Sequence, residues 1–174
     1  KWYGELLHDR SILQALYVTV SVAALATLVA TVLGTFAAIG IHSMKSGMRA
    51  VFMNVTNLPM LMPDIVTGIS LMILFLFARV PRGYLTMLMA HITFDTPYVI
   101  FSVLPRLKRM DKNLYEAALD LGCPPARALK KVILPQVMPG VVTGALLSFT
   151  MSLDDFVISY FTSVRTQNLS MLIY

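Results

Sequence analysis

The chain has 174 residues, a net charge of +5, 57 % hydrophobic residues and only 13 % charged ones, with a mean hydropathy of +0.73. Soluble domains carry about 25 % charged residues, so the composition argues against a soluble globular domain and for embedding in a bilayer. The single Cys123 rules out an internal disulfide.

In chain order, the opening KWYGELLHDR lacks the pattern of a signal peptide. It reads as an amphipathic, charged loop cut from something longer. A charge-free apolar run follows from Ile12 to Ile41, long enough to cross a bilayer with tilt. A second run, 51–77, is interrupted by Pro59, Pro63 and Asp64. A third, 84–104, contains His91, Asp95 and Pro97. A fourth, 132–161, contains Asp154 and Asp155. Length and periodicity predict helices, and no alternating barrel-type strand pattern appears. The chain therefore reads as an all-α membrane protein forming one transmembrane domain with four crossings. The twelve methionines fit adaptable packing better than a metal site.

Between the third and fourth runs lies a polar island, 105–131. Asp111 is placed to cap a short helix, and Gly122 to end it in a left-handed turn. Pro124 and Pro125 stand where a second short helix starts, and that helix is expected to end at Pro135. The loops at 42–50 and 105–131 hold nine of the fourteen Lys and Arg residues, which places the island on the cytoplasmic side. Two helices at a membrane surface exceed what a connector needs and suggest a protein-docking surface.

The fourth run carries Gly140, Gly144, Ser148 and Ser152 at four-residue spacing. Small residues so spaced let helix backbones approach closely in lipid. The stripe is expected to continue through Asp155 and Ser159, which would turn Asp155 towards a packed interior or a wet path. Ala23, Ala30, Gly34 and Ala38 form a weaker stripe in the first run. Carboxylates inside a bilayer are costly, by roughly 3 kcal/mol at the centre, and mark partners or wet paths. Asp64 reads as a path carboxylate beside carbonyls freed by Pro59 and Pro63, or as a cap for the helix that restarts there. Asp155 reads as a path carboxylate, and Asp154 as a path residue or a solvated helix end. His91 and Asp95, four apart, are expected to pair with each other. Tyr98, Phe156 and Tyr160 offer aromatic faces to a cation. No metalloprotease, hydrolase-elbow or phosphate-loop motif is present, so ATP would bind another chain. The basic residues lack the interleaved aromatics expected of a nucleic-acid binder.

The island EAALDLGCPPARALKKVILP resembles the coupling loop of binding-protein-dependent ABC importer permeases, in which Glu-Ala-Ala, a Gly and an aliphatic-x-Leu-Pro recur at fixed spacing. The matching positions are Glu116, Ala117, Ala118, Gly122, Val132, Leu134 and Pro135, with Val132 where isoleucine is usual. The segments LMPDIVTGISLMILF, HITFDTPYVI and LSFTMSLDDFVISYF resemble spermidine/putrescine permeases. Asp95 departs from that pattern and receives no role from it.

The resemblance implies a type I importer fold, with the chain matching the second to fifth of six crossings in a multi-pass bacterial inner-membrane protein. It implies a partner permease, a pair of cytoplasmic ATPases that hold ATP and Mg, and a periplasmic solute-binding protein. It makes Glu116, Ala117, Ala118, Gly122, Leu134 and Pro135 the ATPase-coupling residues. The candidate substrate path is Asp64, Asp154, Asp155 and Tyr160, with a polyamine as the expected cargo and no cofactor in this chain. The rival readings are a permease for another small solute, an ion-coupled carrier using Asp64 or Asp95, and a membrane scaffold that docks without transport.

Overall fold

The structure is a computed structural model, and it describes residues 9–164 and 166–173. The opening loop reading for residues 1–8, like Arg165, lies outside the described residues. Among the described residues every regular element is helical.

Helix α1 spans Arg10–Ser43 and opens on Asp9, whose Oδ1 accepts the Ser11 N–H at 2.8 Å. Helices α2 (Ser46–Leu61) and α3 (Asp64–Phe77) follow. Pro63, with its fixed φ and no N–H, stands between them, and their axes bend by 107°. The run at 51–77 is thus a broken pair rather than one rod. Helix α4 spans Tyr84–Arg109 and α5 spans Lys112–Asp120. Helix α6 (Pro125–Ala128), a π turn (Leu129–Ile133) and helix α7 (Leu134–Asp154) form one continuous 30-residue rod. Two short helices end the described chain, α8 (Val157–Thr162) and α9 (Leu169–Ile173). Helices α1, α4 and the α6–α7 rod are each long and apolar enough to cross a membrane, and the bent α2–α3 pair makes a fourth candidate span.

Two boundaries differ from those read in the sequence. The second helix of the island does not end at Pro135. The π turn lets the Leu134 N–H reach the Leu129 carbonyl. That widened turn carries the helix past Pro135, which follows it directly in α7, so the relaxed π geometry accommodates the missing N–H inside the rod. At the other end, α7 stops at Asp154 because Asp155 turns extended, at φ −67° and ψ 124°. The stripe of small residues therefore ends at Ser152 and does not run through Asp155.

The core is a seam where α1, α4 and α7 meet. A methyl group on Gly34 of α1 would lie 2.7 Å from Val99 Cβ of α4, and one on Gly140 of α7 would lie 2.7 Å from the Ser102 carbonyl. Only hydrogen fits at either position. The register is regular: Gly140 lies against Val103, Gly144 against Val99, and Ser152 against His91. Ser148, midway along the stripe, faces Asp95. On α1, Ala26, Ala30 and Ala38 are fully buried in line with Gly34. Both small-residue stripes are thus spent on helix packing. Towards α5 the seam is apolar, around Val99, Val103, Leu107 and Val137. Towards the break at Asp155 it is polar, holding Asp95, His91, Ser148 and Ser152.

Candidate functional site

Two groups of candidate residues stand apart, one around α5 and one around the break at Asp155. At the loop end, Asp111 accepts the Asn113 N–H on Oδ1 at 3.0 Å and so caps α5. Gly122, at φ +78°, closes the helix. Its N–H donates to the Leu119 carbonyl at 2.9 Å, and the Cys123 N–H to the Ala118 carbonyl at 3.0 Å. This paired closure satisfies carbonyls that would otherwise be orphaned. Tyr115 turns inward and packs with Met110, Leu129 and Leu134 on the seam. Outward, Leu114, Ala117 and Leu121 lie at helical spacing on one exposed face, with Leu121 88 % accessible. Glu116 is exposed beside a cleft of about 760 Å³ shared with His42, Tyr115 and Leu129. Ala118 and Leu134 are half-buried, and Pro135 is exposed.

At the break end, the predicted acids separate. Asp64 is exposed in the first turn of α3, where the partial positive charge of a helix N-terminus favours a carboxylate. No side-chain cap bond forms there. Asp154 is exposed as the last residue of α7. Tyr160 is 56 % accessible and stacks against Phe156 at 5.6 Å between ring centroids. Asp155 behaves differently. Its side chain is 8 % accessible, and it accepts the Ile158 N–H at 3.1 Å, the Ser159 N–H at 2.8 Å and the Ser159 hydroxyl at 2.9 Å. The geometry makes Asp155 the cap of α8, with both carboxylate oxygens bonded to protein donors.

The expected His91–Asp95 pair does not form. His91 Nδ1 lies 2.6 Å from the Ser152 hydroxyl, and Nε2 lies 3.0 Å from the Ser159 hydroxyl and 3.5 Å from Asp155 Oδ2. The imidazole points across to α7 and α8, because the small stripe on α7 ends at Ser152 and the Asp155 cap holds Ser159 of α8 within reach. Asp95 is fully buried, and neither of its oxygens has a hydrogen-bond partner. Ser148 faces it, and the Ser148 hydroxyl also lies 3.4 Å from the Thr27 hydroxyl of α1. Tyr98 lies within electrostatic reach of both Asp64 and Asp95. Among the described residues no group of three His, Cys, Asp or Glu side chains is arranged to hold a metal ion.

The inventory is an apolar helical strip on a doubly capped surface helix at one end, and exposed acids with a stacked aromatic pair at the other. Residues 14–167 match the family model described as the binding-protein-dependent transport system inner membrane component. The chain belongs to this family. Its members are inner-membrane transport components, which agrees with the three long apolar helices and the broken fourth.

Several relatives are similar along most of the chain. The putrescine transport system permease protein PotI of Escherichia coli K12 is 39 % identical, with 94 % of this chain and 60 % of the relative covered. The spermidine/putrescine transport system permease protein PotC of Haemophilus influenzae is 38 % identical, with 93 % and 63 % covered. PotC of Escherichia coli K12 is 37 % identical, with 94 % and 62 % covered. The chain spans about three fifths of the length of these curated relatives.

Proposed function

We propose that this chain is the core of a permease subunit of an ATP-driven importer that moves polyamines across the bacterial inner membrane. The observation that carries the reading is the outward face of α5. A membrane protein gains nothing internally from Leu121 held almost fully exposed between a capped helix and a left-handed closure. A docked partner accounts for it.

The Lys and Arg bias supports a cytoplasmic position for this face, where a pair of ATPase subunits would bind ATP and Mg. Glu116 would pair with a basic residue of the ATPase, and Ala117 and Ala118 would let the helix sit deep in its groove. The α6–α7 rod continues from this surface without a stop. A push on α5 and α6 would therefore travel along α7 to the break at Asp155.

At the far end a binding protein would deliver the cargo, and a second permease would complete the path. Asp64, Asp154 and the Phe156–Tyr160 pair offer carboxylates and ring faces to an extended polycation. Names of relatives that include putrescine and spermidine support this cargo.

The test is uptake of radiolabelled spermidine into proteoliposomes holding the complete transporter. Glu116→Lys should abolish ATP-dependent uptake and weaken ATPase retention on the purified permease. Full ATPase retention and full uptake in that variant would count against the docking role.

A further inference from the structure

At the break end two bodies meet. One is the seam bundle of α1, α4 and α7. The other is the α3–α8 pair, since α3 packs chiefly on α8. A methyl on Gly68 of α3 would lie 3.0 Å from the Phe161 ring and 3.5 Å from the Val157 carbonyl. The pair carries Asp64 and Tyr160. It touches the bundle through an apolar patch, where Phe75 and Ile158 pack against Ala90 and Phe94, and through polar ties to α4.

His91 is the centre of those ties. Its imidazole reaches Ser152 within the bundle and Ser159 on α8. Ser159 gives its proton to Asp155, and the Asn168 amide donates to the Ser159 oxygen and to the Asp155 carbonyl, each at 2.9 Å. With the proton on Nε2, His91 donates to the Ser159 oxygen and accepts from Ser152, and every member of the set is satisfied. A separate bond from the Thr86 hydroxyl to the Thr162 carbonyl, at 2.8 Å, holds the far end of α8.

We propose that His91 is a positioning residue for transport, a clamp that fixes the α3–α8 pair against the bundle through Ser159 and Asp155. The proposal rests on the transport reading above. The imidazole is buried, at 1 % accessibility, and does not meet cargo. It sets where the outward-facing Asp64 and Tyr160 stand relative to the rod that is driven from the loop end. The asymmetry of the set makes the role testable: Ser152 ties His91 to its own body, whereas Ser159 ties it to the other.

The experiment uses the full-length permease in its complete transporter, in proteoliposomes, with Cys123→Ser and spin labels at Leu28→Cys on α1 and Ile73→Cys on α3. Both label sites are exposed. Pulsed dipolar spectroscopy reads the distance between the two bodies. Ser159→Ala and His91→Ala should at least double the width of the distance distribution. They should cut uptake roughly tenfold while basal ATP hydrolysis persists. His91→Gln, which supplies one donor and one acceptor, should restore both readouts. Ser152→Ala should leave the distribution narrow. If His91→Ala fails to assemble, Ser159→Ala carries the test alone. An unchanged distribution in Ser159→Ala, or equal broadening in Ser152→Ala, overturns the clamp. A wild-type transporter that moves no polyamine overturns the transport reading instead, and the distance arm still decides the clamp.

Discussion

Asp154 and Asp155 are neighbours in the chain and opposites in the fold. Asp154 closes α7 with its side chain exposed, whereas Asp155 leaves the helix, turns inward and caps α8. The change of backbone direction between them sends one carboxylate to the surface and the other into the polar end of the seam.

The two acids should therefore separate stability from transport. Asp155→Ala removes a cap and a buried, multiply bonded acceptor, and should destabilise the protein by about 1–3 kcal/mol. Asp154→Ala should leave the unfolding temperature in detergent unchanged and lower polyamine uptake several-fold. Thermal unfolding and vesicle uptake, measured on both variants, check the pair. A destabilised Asp154→Ala with normal uptake would reverse the assignment.

The seam gives a second contrast. Gly140→Ala would place a methyl 2.7 Å from a backbone oxygen, while Gly40→Ala would have no neighbour within 4 Å. Overpacking of this kind costs typically about 1–3 kcal/mol. At Gly40, alanine should be neutral or stabilising by up to about 1 kcal/mol, from helix propensity alone. The melting temperature should fall for Gly140→Ala and not for Gly40→Ala, and an equal fall in both would refute the close approach.

Asp95 offers a third. A buried carboxyl group with no hydrogen bond to either oxygen is a site of uncompensated polarity. Asp95→Asn keeps the shape, removes the charge and gains an amide that the facing Ser148 oxygen can accept. It should leave melting unchanged or raised, and permease assembly intact. A melting temperature several degrees lower would show that the charge itself is needed.

What the sequence revealed, and what it hid, follows from the range of each signal. The Asp111 cap and the Gly122 closure depend on residues within one helical turn, so local chemistry was enough to read them. The glycine and serine stripe was readable because close packing imposes a four-residue period. That same period turned Asp155 inward, as the structure has it, but missed the end of α7 before it, since periodicity does not register the one extended residue where the helix stops. The His91–Asp95 pairing failed for a related reason. Spacing along one helix says nothing about a competing hydroxyl on another, and Ser152 and Ser159 lie 61 and 68 residues away. Pro135 was misread as a stop because the preceding π turn, which accommodates it, has no simple sequence signature.

The surface of α5 gives the sharpest prediction about drive. Leu121 is 88 % accessible, so Leu121→Asp removes no internal packing and should leave the unfolding temperature within about 1 °C of wild type, as surface changes usually do. If the face is a docking strip, burying a carboxylate where a leucine belongs should weaken ATPase retention at least tenfold. Gly122→Ala acts on the same surface by another route. It forces an L side chain into a left-handed turn at φ +78°, costing about 1–2 kcal/mol, and should reorient α5 against α6 rather than alter its exposed face. Leu121→Asp should then lose ATPase binding outright. Gly122→Ala should retain part of the binding but couple poorly, hydrolysing more ATP per polyamine moved. Co-purification with the ATPase and the ratio of hydrolysis to uptake distinguish the two. Normal retention in Leu121→Asp would remove the exposed strip as the basis for docking.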